Sequence, residues 1–140
     1  AERRRGSGAV PRRRRLKLLL DSHVFLWWQA NDTRLTREIK NAVRSANQVY
    51  VSAVTAWELG LKVSLGKLRL PASVEDGVTA SGFWELPVTF AHARVAVALP
   101  QHHRDPFDRM LIAQALVENL TLVTQDAAIQ RYEVAVLSVR

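Results

Sequence analysis

The chain has 140 residues, 48% of them hydrophobic, and it carries a formal net charge of +7 with no cysteine. This length suits one domain with a sizeable core, and a chain without cysteine can form neither a disulfide framework nor a thiolate metal site. No stretch approaches the roughly 20 apolar residues that a membrane-spanning helix requires, so we expect a soluble, cytoplasmic protein with no membrane partner.

The basic charge lies mostly at the N-terminus. Residues 1–15 contain seven Arg against one acid, Glu2, for a net charge of +6, whereas the rest of the chain contains 13 Lys and Arg against 12 Asp and Glu, for a net charge of +1. Because this segment has no hydrophobic period and contains Gly, Ser and Pro, we interpret residues 1–15 as a flexible basic extension and residues 16–140 as one folded domain. The extension is either foreign to the native protein or an arm for RNA or an acidic partner.

Short apolar runs alternate with helical segments along the rest of the chain. The first run, from Leu16 to Leu20, is continuously apolar, as expected for a strand covered on both faces. This alternation predicts an α/β fold of three layers, with a central, mainly parallel sheet of four to five strands and helices on both faces. The predicted strands are 16–20, 49–53, 83–88, 121–124 and an edge strand at 134–139, and the predicted helices are 24–28, 36–45, 53–65, 72–81, 90–99, 106–118 and a short one that begins at 126.

Several helix starts are marked by capping residues. Ser52 and Thr89 are predicted N-caps, because their hydroxyls can accept a hydrogen bond from the first helical turn. Asp105 is a third, since Pro106 suits the first helical position and Asp108 would complete a capping box. Capping is the better explanation of this turn when it is considered alone.

Four acidic residues follow separate strands of the predicted sheet. Asp21 comes directly after the first strand, Asp126 follows the fourth, Glu58 lies in the helix after the second, and Asp108 lies at the start of a later helix. The connections of a parallel sheet emerge at the carboxyl ends of its strands, so these side chains are expected to meet in one crevice. Neighbouring carboxylates cannot all stay ionised without compensation, and a hard divalent cation with oxygen ligands provides it.

Other interpretations of single residues stay open. Asp21 can be explained as a helix cap, and Glu58 either as an exposed acid on an otherwise buried helix or as a functional carboxylate. The four histidines, His23, His92, His102 and His103, are interpreted as surface or core residues and not as a metal set. The tryptophans are most simply core or dimer-interface residues. A Gly-x-Gly-x-x-Gly or Walker-type motif is missing from the sequence, which leaves nucleotide cofactors unsupported.

The motifs that carry these residues, taken in order, resemble one known family. They are Leu-Leu-Leu-Asp-Ser-His at 18–23, Val-Ser-Ala-Val-Thr-Ala-Trp-Glu at 51–58, Asp-Pro-Phe-Asp-Arg-Met-Leu-Ile-Ala-Gln-Ala at 105–115 and Leu-Val-Thr-Gln-Asp at 122–126. Their order, spacing and chain length are similar to those of PIN-domain proteins, specifically the VapC-like toxins of bacterial type II toxin-antitoxin systems. The resemblance covers nearly everything from Leu16 to the C-terminus and excludes the Arg-rich extension.

The resemblance implies a PIN-like fold and a Mg²⁺- or Mn²⁺-dependent endoribonuclease. It also implies a homodimer in the bacterial cytoplasm that is inhibited by a small VapB-like antitoxin. Such a toxin would contact DNA only indirectly, through the antitoxin. The residues that match the family's acidic positions are Asp21, Glu58, Asp108 and Asp126, and Asp105 matches an additional acid found in a subset of these toxins.

Two hydroxyls and two arginines complete the expected site. Thr124 matches the hydroxyl two residues before the last acid, and Ser22 stands where the family more often has Thr. On the chemistry of phosphodiester hydrolysis, Asp21, Asp108 and Asp126 would hold the metal directly or through water, while Glu58 would position a second ion or the attacking water. With so little charge on the domain, we expect RNA to be held locally, by residues such as Arg104 and Arg109.

Three other functions stay open at this stage. The same acids could serve a metal-dependent nuclease that acts on DNA or in RNA processing. A phospho-receiver domain also places acids at strand ends, but it would need an adjacent acid pair after the first strand and a Lys after the last, and this chain has neither. A non-catalytic member would act only by binding its antitoxin, although the retention of all four acids argues against lost catalysis.

Overall fold

A five-stranded sheet, parallel throughout, forms the centre of the computed structural model, which describes residues 16–139. The predicted extension at residues 1–15 lies outside the described residues. Along the sheet the strands lie in the order β3-β2-β1-β4-β5, so the first strand is central. The last strand is at an edge, as predicted. The strands are β1 (Lys17–Leu20), β2 (Gln48–Ser52), β3 (Trp84–Leu86), β4 (Thr121–Thr124) and β5 (Val136–Ser138).

Six α-helices connect the strands, and each begins at a residue whose side chain accepts a backbone N–H of the first turn. This confirms the predicted caps Ser52, Thr89 and Asp105, shows that Asp21 also caps a helix, and adds Thr36 and Ser73. The helices are α1 (Ser22–Gln29), α2 (Arg37–Ser45), α3 (Ala53–Ser64), α4 (Val74–Ala80), α5 (Phe90–Ala98) and α6 (Pro106–Glu118), followed by a 3-10 turn at Ile129–Arg131. In the part of the chain that the structure describes, none of these helices could cross a membrane, because none combines enough length with enough apolar character.

Two hydrophobic cores cover the two faces of the sheet, which gives the predicted three layers. Leu18 and Leu20 point into a core formed with α1 and α2, whereas Leu19 points into a second core formed with α5 and α6. All three leucines are fully buried, because successive side chains of a strand point to opposite faces and both faces are covered. Burying a leucine completely contributes roughly 1.5–3 kcal/mol, so this central strand is a major source of stability.

The chain changes direction across the sheet at β1. It runs from β1 outwards through β2 to β3, then returns to the other side of β1 for β4 and β5. The connections after β1 and β4 therefore leave the same edge in opposite directions, and a crevice opens between them. Helix α3 lies over this end of the sheet, with Val54 in one core and Leu59 in the other. The third strand, Trp84–Leu86, is shorter than the predicted 83–88. It ends before Pro87, which has no N–H to continue the pairing.

Candidate metal-binding site

Asp21 is the residue directly after β1, and only 4% of it is exposed. Its backbone N–H donates to the carbonyl of Val123 at 3.0 Å, and its Oδ1 accepts the N–H of Val24 at 2.9 Å as the N-cap of α1. Burial raises the pKa of this carboxyl above its ordinary value, while the Thr124 hydroxyl and the Val24 N–H oppose the rise. Asp21 is therefore a helix cap and a buried acid at the same time, so the capping explanation does not exclude a functional one.

Glu58 lies beside Asp21's neighbour Ser22 and is not the exposed acid that one interpretation suggested. It is 8% exposed, its Oε1 accepts the Ser22 hydroxyl at 2.6 Å, and its Oε2 lies 3.4 Å from Nζ of Lys62. The Ser22 hydroxyl is also 3.5 Å from the hydroxyl of Thr55. These contacts fix the carboxylate of α3 against the start of α1, so Ser22 orients Glu58 within the crevice.

Asp108 lies one turn into α6, and its charge is poorly tolerated. Burial is the largest cause that raises its pKa, to about 7, and the negative charge of Asp105 adds to the effect. The charges of Asp21 and Glu58 raise this pKa further, and His103 opposes them. Acids from three separate connections therefore act on one carboxyl group, which supports their expected convergence.

His103 occupies a place in this cluster that sequence reasoning did not assign to it. Its Nε2 lies 3.0 Å from Oδ2 of Asp108 and 3.0 Å from Oδ2 of Asp126. Its Nδ1 accepts the backbone N–H of Asp105 at 3.2 Å, so the ring hydrogen belongs on Nε2, where it faces both carboxylates. The expected capping box is therefore wrong, because His103 and not Asp108 bonds the N–H of Asp105. The other histidines lie elsewhere: His23 and His102 are exposed and His92 is fully buried.

Asp126 begins the connection after β4. Its N–H donates to the hydroxyl of Thr124 at 3.0 Å, and its Oδ1 accepts the N–H of Ala128 at 2.9 Å, which leaves Oδ2 towards His103. Thr124 is fully buried and contacts both Asp21 and this loop. The predicted helix that begins at Asp126 is a turn followed by the short 3-10 segment from Ile129.

The side chains in this crevice fit a hard divalent cation. Ligand atoms of His103, Asp108 and Asp126 lie within 4.8 Å of one another, and burial, with a smaller contribution from neighbouring negative charges, raises the pKa of Asp21 and Asp108. A bound cation would remove the repulsion that raises these values. Since Nε2 of His103 carries the ring hydrogen in this arrangement, the carboxylate oxygens are the better ligands, and oxygen ligands suit Mg²⁺ and Mn²⁺.

The two arginines expected to hold RNA have different surroundings. Arg104 is exposed. Arg109 donates to the carbonyls of Ala96, Leu99 and Pro100 at 2.8 to 3.0 Å. These are carbonyls at the C-terminal end of α5, which a helix leaves without internal partners. A structural role therefore accounts for Arg109, and its expected role in RNA binding has no support from this placement.

The fold and site together define an α/β protein with a cluster of carboxylates at the switch point of a parallel sheet. Comparison with known families agrees, because the PIN domain pattern matches residues 18–135. The chain is also 31% identical over 118 residues to Ribonuclease VapC22 of Mycobacterium tuberculosis, a match that covers 82% of this chain and 91% of that protein. The chain therefore belongs to the PIN-domain family, and it is a VapC-like member.

Solved structures support the fold. VapBC2 from Rickettsia felis, bound to a DNA fragment from its promoter, superposes with a TM-score of 0.63 at 14% identity and covers 88% of this chain and 98% of that one. DNA-bound VapBC from Salmonella typhimurium superposes with a TM-score of 0.64 at 16% identity, covering 89% and 99%. The predicted three-layer, PIN-like architecture is confirmed.

Proposed function

We propose that this protein is a Mg²⁺- or Mn²⁺-dependent endoribonuclease that acts as the toxin of a type II toxin-antitoxin pair. The observation that carries the proposal is the convergence of buried carboxylates from separate connections at the crevice beside β1, where burial and mutual repulsion raise the pKa of Asp21 and Asp108. The curated relative at 31% identity is named a ribonuclease, which supports RNA as the substrate.

The chain's own residues divide into metal holders and positioning residues. Asp21, Asp108 and Asp126 would hold the cation, with Asp105 next to them. When bound, the cation would supply Lewis-acid activation of water and neutralise charge on the phosphate. Glu58, fixed by the Ser22 hydroxyl at 2.6 Å, would orient the attacking water or hold a second ion.

Three residues support this arrangement without being obvious ligands. The buried Thr124 hydroxyl holds the loop of Asp126 next to Asp21. Ser22 fixes Glu58, and His103 spans Asp108 and Asp126 while its ring is held by the backbone of Asp105. Such contacts keep carboxylates in place before the metal binds, which reduces the cost of ordering them.

The toxin assignment rests on similarity and on surfaces suited to protein partners. The similar solved structures are VapBC complexes and a toxin-antitoxin complex from Klebsiella pneumoniae. Helix α5 exposes Phe90 at 91% and Val97 at 82%, and Leu65 after α3 is 66% exposed. Exposed apolar side chains of this size suit a homodimer contact and a small VapB-like antitoxin, through which DNA would be reached. A bacterial toxin that cuts cellular RNA would act in the cytoplasm.

The test is cleavage of a mixed RNA substrate by purified protein freed of any antitoxin, in Mg²⁺ or Mn²⁺. Chelator and Asp21→Asn should each abolish cutting. Asn is as good an N-cap as Asp, so this variant keeps α1 while losing the charge. Glu133→Gln, at an exposed acid, is the matched control and should cut normally. Wild-type cutting by Asp21→Asn would refute the site assignment.

A second candidate, a nuclease that acts on DNA or in RNA processing, would use the same acids. Single-stranded RNA, tRNA and DNA tested in parallel would separate these substrates. Failure to cut any of them with either ion would favour a member that only binds its antitoxin.

A further inference from the structure

An aromatic pair, formed by the exposed Trp57 and the half-buried Phe107, precedes two acids of the crevice in sequence. Trp57 is 62% exposed. The centroid of its ring is 5.3 Å from the centroid of the Phe107 ring, and the two ring planes are at 64°. Trp57 directly precedes Glu58 in α3, and Phe107 directly precedes Asp108 in α6. Since consecutive Cα atoms are about 3.8 Å apart, both rings begin next to acids of the proposed cleavage centre.

The exposure of Trp57 is not explained by packing. Trp28, in contrast, is half-buried and packs on Phe83 with ring centroids 5.6 Å apart, while Trp27 is half-buried beneath the guanidinium of Arg34 at 4.8 Å. Trp57 instead leaves most of its surface to solvent, although a large aromatic side chain gains much from burial. A ring that is held by an edge-to-face neighbour and open on its remaining surface is suited to receive a flat ligand.

We propose that Trp57, which forms with Phe107 the pair here called the aromatic platform, stacks an unpaired base of the RNA next to the phosphate held at the acids, while Phe107 supports the Trp57 ring in an edge-to-face contact. This inference rests on the proposed function and narrows its substrate to single-stranded RNA or unpaired loops. The faces of a base in a duplex are covered by its neighbours, so only an unpaired base can reach an aromatic side chain in this way. Stacking needs no basic surface, which agrees with a domain outside the extension that carries a net charge of only +1.

A protein partner is the alternative occupant, because Leu61 and Leu65 continue the exposed face of α3 at 40% and 66%. Two features favour RNA at the Trp57 end. The second ring comes from α6 and not from α3, so the platform spans two elements that each contribute an acid. Each of its residues also directly precedes an acid, whereas Leu61 and Leu65 lie one and two turns further along the chain.

The experiment measures binding of fluorescein-labelled, unstructured RNA by fluorescence anisotropy in Mg²⁺, with Asp21→Asn as the non-cleaving parent. Adding Trp57→Ala should weaken binding roughly 5- to 150-fold, as expected for the loss of one stacked base, while Trp57→Phe should retain most of the affinity. Trp84→Ala is the matched control, because Trp84 is also exposed, at 55%, but lies in β3 at the edge of the sheet away from the acids. It should bind like the parent.

An abasic scan of the RNA sharpens the test. One abasic nucleotide should weaken binding to the Asp21→Asn parent, and the same nucleotide should have no further effect once Trp57 is Ala. A duplex of the same sequence should show no dependence on Trp57. Thermal unfolding of each variant shows whether the fold is kept, and Trp57→Leu, which is apolar but cannot stack, preserves the test if Trp57→Ala does not fold.

Two outcomes would overturn the aromatic platform. The first is equal affinity of parent and Trp57→Ala for every unpaired RNA. The second is a change in oligomer mass by sedimentation with RNA affinity unchanged, which would make this face a protein interface. Either result leaves the proposed nuclease intact if wild-type protein still cuts RNA in Mg²⁺. If wild-type protein neither cuts nor binds RNA, the proposed function itself fails and the platform fails with it.

Discussion

Replacing Asp108 by Asn should make the metal-free protein more stable while abolishing cleavage. The raised pKa of about 7 means that the folded protein resists ionisation of this carboxyl, whereas the unfolded chain ionises it near the ordinary value of 3.8. Asn has nearly the same shape and carries no charge. The variant therefore removes the cost of burying this charge next to Asp105 and the other acids, a cost that a bound metal would offset.

The magnitude follows from the shift. A difference of about three pKa units corresponds to an upper bound of about 4 kcal/mol at 1.36 kcal/mol per unit. The side chain of Asp108 is 22% exposed, so solvent screening reduces this value, and the variant also loses the contact with His103. We expect a net gain of about 1–2 kcal/mol above pH 7, or a rise in Tm of roughly 3–8 °C for a domain of this size.

The pH dependence of this gain identifies its cause. Between about pH 4 and 7 the folded wild-type protein binds a proton at Asp108 that the unfolded chain has lost, so wild-type stability falls as pH rises through this window and the penalty is complete above it. The advantage of Asp108→Asn should therefore be small near pH 4 and largest at pH 8.

Thermal unfolding with chelator at several pH values measures this dependence. Glu133→Gln is the control, and its Tm should equal that of wild type at every pH. Adding Mg²⁺ should stabilise wild-type protein and have much less effect on Asp108→Asn. A Tm of Asp108→Asn at or below wild type at pH 8 in chelator would refute the reasoning.

Three further substitutions test the supporting contacts. His103→Gln removes the N–H between two site carboxylates, so the free energy of unfolding in chelator should fall by about 1 kcal/mol. Saturating Mg²⁺ should restore most of this loss. A loss that Mg²⁺ leaves unchanged would show that His103 stabilises the fold by ordinary packing. Arg109→Lys keeps the charge but not the planar donor group that binds the carbonyls of α5. The free energy of unfolding in denaturant should therefore fall by about 1–3 kcal/mol, with RNA affinity unchanged. Weaker RNA binding at unchanged stability would instead support a role for Arg109 in RNA binding. Ser22→Ala should lower kcat with little change in RNA affinity, because Glu58 loses its 2.6 Å partner, whereas Ser22→Thr should retain activity; equal kcat in both variants would remove Ser22 from the site.

The sheet and its helices could be predicted because local signals agreed with one another. Leu18 to Leu20 form an uninterrupted apolar run in a strand covered on both faces, and Ser52, Thr89 and Asp105 begin helices where their side chains allow. The predicted strand ends differ from the observed ones by a few residues, because a strand ends where its hydrogen bonds to the neighbouring strand end, and the neighbour cannot be identified from local sequence. The third strand, for example, ends before Pro87.

The position of His103 could not be predicted from the sequence, because it depends on the backbone conformation of the turn before α6. A histidine beside other polar residues before α6 has no periodicity to place it, and its partners Asp108 and Asp126 lie 5 and 23 residues away. The only local signal is its position two residues before the N-cap Asp105, where the ring can accept that residue's N–H. Exposure of Trp57 was equally hidden, because α3 carries apolar residues on both its buried and its exposed surface.

The order of strands also has a consequence for the chain during synthesis. Asp21 is made early, but its neighbour across the crevice, Asp126, follows β4, which pairs with β1 only after residues 121–124 have been made. A nascent polypeptide that has not reached this point can assemble β1, β2 and β3 but cannot complete the carboxylate cluster. A protein that cuts RNA would thus remain inactive on the ribosome until β4 and Asp126 have been made, and its latency would come from topology alone, before any antitoxin arrives.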